Sequence, residues 1–353
     1  MAATVTRFLR TGVPAGVPDD ARFRLLNDFQ RDFPLVSRPF ARIAEQTGLD
    51  EQAVLDTVST WLCDGVLSRV GAVFAPRRIG ASALAALAAP EDRLEAIAER
   101  VNAAPEVNHN YQREHAFNLW FVITAESGRR LAEVVDGIET DTGCKVIVLP
   151  LEQAFHIDLG FDLGSGCIGG SEALRDKAAA DMLEPMGDGA CLLPELERGL
   201  MAVLERGLPI VSQPFREIGE QAGIREELVL DIIERWVDDG RIKRFGFVVR
   251  HHELGFEANA MCVWDVPNDQ VAEVGRRLAR EPAVTLCYRR SRARPHWPYN
   301  LFCMIHGRSR DAVLAERKAI VSRCGLAGFD EAVLFSTRRF KQRGSRYFGS
   351  AHT

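Results

Sequence analysis

From Ala21 to Asp64 apolar residues recur every three or four positions, and from Val66 onward they begin to alternate. The first rhythm predicts helices and the second strands. One helix is expected over 21–32. A second should follow Ser37-Arg-Pro-Phe40, with Ser37 as its cap and Pro39 in its first turn, and stop at Gly48. A third spans Asp50 to about Asp64, where Val54, Val58, Trp61 and Leu62 share a face. Gly65 ends it, and 66–74 reads as the strands of a small wing, completing a winged helix-turn-helix. Beyond Gly80 the order becomes strand (82–88), helix (91–102), strand (107–111), strand (119–125), helix (128–142) and strand (146–151). That is a ferredoxin-like order, an antiparallel sheet with helices on one face.

The whole pattern then repeats. Pro34-Leu-Val-Ser-Arg-Pro-Phe40 returns as Pro209-Ile-Val-Ser-Gln-Pro-Phe215, an offset of 175 that also carries Trp61 to Trp236, Arg69 to Arg244 and Gly80 to Gly255. Pro105-x-Val107 returns as Pro282-x-Val284, Tyr111 as Tyr288, and Asn118-Leu119 as Asn300-Leu301 after a five-residue insertion. The second set of elements is expected at 258–265, 270–281, 284–288, 300–306, 308–324 and 332–336. The fold class is therefore α+β, two tandem copies of a winged helix-turn-helix plus a ferredoxin-like sandwich. The domains are 19–75 (helix-turn-helix), 76–160 (ferredoxin-like), 161–190 (Gly-rich linker), 191–250 and 251–348. Each sheet has an uncovered face, and the economical way to bury it is against the other copy's sheet, an intrachain pseudo-dimer.

With 353 residues and 46% hydrophobic content the chain can build several cores. No apolar run reaches the ~20 residues of a membrane span, and no leader pattern opens the chain, so the expected compartment is the cytoplasm. The eight cysteines lie scattered without a C-x-x-C pair, which argues for buried free thiols and against zinc or a disulfide framework. The net charge of −5 hides a basic span: fourteen Lys and Arg against four acidic residues between Thr285 and Arg346, a local +10 that points to an anionic partner. That partner is not expected to be a specific DNA site. The third helix carries no Lys or Arg, and its counterpart at 226–239 has six carboxylates against Arg235 alone. Such surfaces are repelled by phosphates.

The densest polar constellation is Asn108-His109-Asn110-Tyr111-Gln112-Arg113-Glu114-His115. Positions 109, 111 and 113 point to one face of a strand, so one loop is expected to present imidazole, phenol and guanidinium together, with His115 across the turn. Arg suits a bidentate carboxylate and His suits proton delivery near neutral pH; the alternative is a solvated polar hairpin. The second copy offers Tyr288-Arg289-Arg290-Ser-Arg292-Ala-Arg294-Pro-His296-Trp297-Pro-Tyr299, more basic and aromatic, but Leu286 replaces His109. The copies are not equivalent. His306, opposite Thr124 in the repeat, reads as a core or rim residue.

The winged helix followed by this sandwich resembles the Lrp/AsnC regulators. The signatures His-x-Tyr-x-Arg-x-x-x-x-Asn-Leu-Trp-Phe and Trp-Pro-Tyr-Asn-Leu-Phe-x-Met-Ile-His-Gly resemble siroheme decarboxylases of the Lrp/AsnC-like family, in the fused NirD–NirL form. Phe155-His-Ile-Asp158 and Phe340-Lys-Gln-Arg-Gly sit where that family carries domain-closing motifs. The resemblance implies removal of two acetate carboxylates from siroheme, giving didecarboxysiroheme on the way to heme d1 or heme. It implies His109 and His115 as proton donor and partner (either a possible iron ligand), Arg113 on a carboxylate, and Tyr111 as orienting group. Arg289, Arg290, Arg294, His296, Trp297 and Tyr299 become substrate-binding walls. No cofactor beyond the iron tetrapyrrole is implied. Partners would be siroheme and its products, with a homo-oligomer or other heme d1 pathway proteins possible. The rival class is an Lrp-type regulator responsive to heme or an amino acid.

Overall fold

The computed structural model describes residues 19–157, 161–162, 167–168, 194–249, 258–344 and 347–348. Helices α1 (Asp19–Asp28), α2 (Pro39–Thr47) and α3 (Glu51–Cys63) form the first helical unit. Pro39 opens α2 and Gly48 closes it at φ 74°, as the sequence suggests, but Arg38 is the N-cap residue and gives no side-chain bond. Ser37 instead accepts a 3.3 Å hydrogen bond from Gln213 of the second copy. Asp50 caps α3 through the Ala53 amide at 2.8 Å.

Among the described residues each copy contributes one wing strand, not two. β1 (Leu67–Phe74) pairs antiparallel with β8 (Ile242–Val249), so the expected wings are a single ribbon shared between copies. Gly71 opposes Gly246 in it, and Gly246 has φ 157° and sits where a Cβ would lie 2.3 Å from the Phe29 carbonyl. The second unit supplies α7 (Glu195–Leu204), α8 (Pro214–Ala222) and α9 (Glu226–Asp238). Phe40, Trp61, Phe215 and Trp236 join one core, so the two helical units are one body. The first turn of α3 is turned against that contact: Glu51 accepts from Ser212 at 2.7 Å and pairs with Arg38.

The short helix α4 (Pro76–Ile79) leads into β2 (Ala81–Leu87), α5 (Leu94–Ala103), β3 (Val107–Arg113), β4 (Leu119–Ala125), α6 (Gly128–Thr142) and β5 (Val146–Ile157). A small ladder, β6 (Phe161–Asp162) with β7 (Cys167–Ile168), falls in the stretch read as linker; the rest of that stretch lies outside the described residues. The second copy gives β9 (Ala258–Trp264), α10 (Val271–Ala279), β10 (Val284–Arg290), β11 (Leu301–Gly307), α11 (Arg310–Cys324) and β12 (Glu331–Gln342).

The last strand of each copy has 12 residues, about twice the length its alternation suggests. The extra half crosses to the other copy. β12 pairs with β9 up to Phe335↔Ala260 and then with β3 from Ser336↔Arg113. β5 pairs with β2 and then β10 in the same way. The two sheets do face one another, as expected, but both edges are zipped into a closed eight-stranded barrel. Each crossing strand drives a ring into the other copy's helix-covered core, Phe155 beside Val274 and Leu278, and Phe340 beside the first-copy cluster. Gly275 makes room for Phe155, whose ring would lie 2.3 Å from any Cβ there. Between the sheets, Trp120, Leu149, Met261, Trp297, Phe302 and Leu334 fill the interior.

Four cysteines (Cys262, Cys287, Cys303 and Cys324) are buried free thiols, whereas Cys63 is exposed, contrary to expectation. Among the described residues no helix is long and apolar enough to cross a membrane.

Candidate functional site

Closing the barrel creates two seams, β3 with β12 and β10 with β5, and each begins at a fork where a strand changes partner. A fork leaves carbonyls without their ladder donors. Arg113 fills one fork, donating from Nη1 to the Leu334 carbonyl at 3.1 Å and to Asn259 at 3.4 Å. Arg290 fills the other, donating from Nη1 to the Leu149 carbonyl at 3.0 Å. Each guanidinium also lies over the tyrosine two residues earlier, 5.7 Å from Tyr111 and 5.1 Å from Tyr288. Neither has a carboxylate partner among the described residues. Burial lowers both to about 10, so both stay charged at neutral pH. The symmetry of the two contacts gives Arg113 and Arg290 a common task, holding the forks, before any task toward a ligand.

The seams differ in what they present. His109 and Tyr111 lie on the interior face of β3, their rings near parallel (11°) and 6.3 Å apart. The register sets Arg339 opposite Tyr111 and Gln342 opposite His109, with Trp120 and Val122 on the other side. Directly opposed residues share a face, so β12 of the second copy lays a guanidinium and an amide beside the first copy's imidazole and phenol. Arg339 is exposed and donates to Gln342 at 3.0 Å. The neighbouring Arg338 turns outward to Glu95 and to the Phe340 ring. Burial pushes the Tyr111 phenol up, while Arg113 and Arg339 pull it down less strongly, so it remains a neutral donor at physiological pH. At the other seam Leu286 stands opposite Ile157 and Tyr288 opposite Ala154. There the Tyr288 phenol is pushed up to about 12 by burial. Polar chemistry collects at one seam. Arg339 entered the sequence reading only as part of the basic span and Gln342 only within Phe340-Lys-Gln-Arg-Gly; neither was expected beside His109 and Tyr111, because the strand holding them was read as ending at 336.

His109, Tyr111 and Arg113 share a face, but on a strand and not in one loop. His109 is four residues from Arg113, roughly 13 Å along the strand, and His115 lies beyond its far end. His115 Nδ1 accepts the Phe117 amide at 3.0 Å, and its ring packs edge-on to Trp297 at 5.3 Å. Burial lowers its pKa. In the resulting neutral tautomer the proton sits on Nε2, leaving no free lone pair for iron. The two histidines therefore occupy separate environments.

The second-copy loop is tied down. Trp297 is a core side chain and not an exposed wall: it is fully buried, 4.8 Å from Trp120 and 5.0 Å from Tyr299. Arg289 pairs with Glu152 at 2.6 Å, and Arg294 with Asp265 at 2.9 Å. Arg292 pairs with the same Asp265. Tyr299 reaches the Glu331 carbonyl at 3.5 Å, and His296 is exposed at the loop tip. Much of the +10 span is thus neutralised by carboxylates from outside it: Glu152, Asp265, Glu114, Glu281 and Glu95. His306 sits 3.0 Å from Thr285, a rim contact matching Asn108 with Thr124 in the first copy.

A family model described as the AsnC-like ligand binding domain matches residues 78–156 and 253–341. One described as the siroheme decarboxylase NirDL-like HTH domain matches 23–67 and 197–242. The siroheme decarboxylase NirDL subunit of Paracoccus denitrificans (strain Pd 1222) is 42% identical over 330 residues, covering 93% of this chain and 97% of that protein. The siroheme decarboxylase of Hydrogenobacter thermophilus is 31% identical, covering 92% and 94%. A crystal structure of the siroheme decarboxylase NirDL in co-complex with an iron-uroporphyrin III analogue superposes with a TM-score of 0.67 at 29% identity, covering 93% of this chain and 95% of that one.

Proposed function

Because the chain belongs to the siroheme decarboxylase family, with both Lrp/AsnC-like units in one polypeptide, we propose that it removes carbon dioxide from two acetate side chains of siroheme to give didecarboxysiroheme. Full-length similarity to curated decarboxylases supports the reaction. The observation that supports its location is the β3–β12 seam, where imidazole, phenol and guanidinium share one face.

The chemistry asks little of the protein beyond orientation, electrostatics and one proton per acetate. Breaking the bond between the carboxylate carbon and the methylene leaves its electron pair on the methylene, where the conjugated macrocycle delocalises it. A proton delivered to that carbon then makes the methyl group. In this reading His109 delivers it, with Tyr111 as a neutral donor that orients the carboxylate or the imidazole. Arg113 holds the fork and adds positive potential behind Tyr111. His115, with its proton on Nε2, serves as a hydrogen-bond donor. The opposite seam, with Leu286 and Ala154, lacks the means to repeat the reaction, so one site per chain handles both acetates in turn.

We place the reaction in the cytoplasm, on a route to heme d1 or heme, with no cofactor beyond the substrate's own iron. A DNA-reading role is opposed by the acidic α3 and α9, by the fused wing ribbon, and by the start of α3 facing the second copy.

The test is anaerobic incubation of pure protein with siroheme, followed by product mass. Loss of two carbon dioxide units is expected. His109→Ala should slow turnover about 100-fold or more while siroheme still binds. Siroheme left intact by the wild-type protein would sink the proposal.

A further inference from the structure

We infer that Arg339 is the guanidinium that binds a substrate carboxylate, so that the working site is composite: its proton donor comes from the first copy and its anion clamp from the second. The inference rests on the decarboxylase reading above and names a residue of that same site.

Three observations carry it. Arg339 stands directly opposite Tyr111 and shares the interior face with His109. It is exposed, and among the described residues its one hydrogen-bond partner is the neutral Gln342. Seven other arginines of the basic run differ from it: Arg289, Arg292, Arg294, Arg310, Arg317, Arg323 and Arg338 each have a carboxylate, while Arg290 is spent on its fork carbonyl. A guanidinium that has no carboxylate partner among the described residues and shares a face with an imidazole can meet an incoming carboxylate in bidentate fashion without breaking an ion pair. Arg113 is the obvious alternative clamp. Its Nη1 is already committed to Leu334 and Asn259, and it is nearly fully buried. Drawing it toward a ligand would strip a fork carbonyl of its donor. Arg113 is thus a positioning residue and Arg339 the binding residue. The pseudo-equivalent of Arg339 at the other seam is Ala154, opposite Tyr288, which explains in one substitution why that seam offers no clamp.

The experiment compares wild type, Arg339→Gln, Arg339→Lys, Arg113→Gln and Arg308→Gln as full chains under anaerobic conditions. Siroheme binding is read from its absorbance at low and high salt, alongside kcat, KM and thermal midpoint. Arg339→Gln should raise Kd and KM roughly 10- to 100-fold, the range of a charge-assisted hydrogen bond, at an unchanged midpoint. Its binding should also depend less on salt. Arg339→Lys should recover part of the affinity, because the charge returns without the bidentate fork. Arg113→Gln should lower the midpoint instead, and Arg308→Gln, which changes an exposed arginine of the same basic run directly after β11, should match wild type. Wild-type affinity and salt dependence in Arg339→Gln would overturn the inference, as would a Kd loss at unchanged midpoint confined to Arg113→Gln. If the wild type binds siroheme but leaves it intact, the decarboxylase reading fails, and the affinity comparison still decides on Arg339.

Discussion

Trp297 separates a core reading from a ligand-wall reading, because the two assign the same ring opposite readouts. Truncation to alanine removes an indole that is fully buried between the sheets, against Trp120, Phe117 and Phe302. A buried aromatic takes on the order of 200 Å² out of water, worth about 5 kcal/mol at 25 cal/mol per Å². Residual burial in the unfolded chain trims this to about 3–4 kcal/mol, which agrees with measured Trp→Ala losses in cores. For a cooperative unit of this size each kcal/mol shifts the midpoint by about 2 °C, so Trp297→Ala should melt roughly 6–8 °C lower. Trp297→Phe should lose less than half of that, since among the described residues the indole Nε1 has no acceptor to forfeit. Urea and thermal unfolding of the two variants measure this, with KM for siroheme recorded on the same samples. A midpoint within about 1 °C of wild type together with a several-fold rise in KM would refute the core assignment and put the ring on the substrate wall.

Other outcomes follow from the same geometry. His115 is held neutral by burial and by its bond from Phe117. Its folded pKa lies below the ordinary 6.5, so its share of stability is present above pH 6.5 and lost as pH falls from there through the folded pKa. Urea midpoints from pH 5 to 7 should therefore rise with pH, and less steeply in His115→Phe; equal slopes would refute it. Arg113→Met and Arg290→Met should each cost about 1–3 kcal/mol by orphaning a fork carbonyl, with similar losses in the two variants as the check on their equivalence. Binding to any duplex should be weak, with a shallow salt slope; a sequence-specific complex in a gel shift at physiological salt would contradict the electrostatics of α3 and α9.

The duplication and the order of elements were legible because both are local or nearly so. Leu119–Ala125 and Gly128–Thr142 fall at the residues their periodicity assigns. So was the face shared by His109, Tyr111 and Arg113, which needs only a strand. What stayed hidden depends on pairing across the chain. Nothing near Ser336 announces that it will lie beside Arg113, more than 200 residues away. The outer halves of β5 and β12 look like irregular tails because both faces are occupied, one by the other copy's core and one by the seam. The wing ribbon was obscured for a similar reason: Val66–Phe74 has the composition of two short strands but is one strand with a distant partner. The basic span misled in proportion to its length. Its charge was counted within a segment, whereas the neutralising carboxylates come from elsewhere in the chain.

The crossing strands also decide which units can be partners. Two first copies pairing together would place Ala154 opposite Tyr111 and Ile157 opposite His109. Two second copies would place Arg339 opposite Tyr288 and Gln342 opposite Leu286, with no imidazole in reach. Only the mixed pair assembles His109, Tyr111 and Arg339 at one seam. Joining the copies in one polypeptide replaces a choice among three encounters by a single intramolecular one. Every folded chain then carries this seam once, at a fixed one-to-one ratio of β3 to β12.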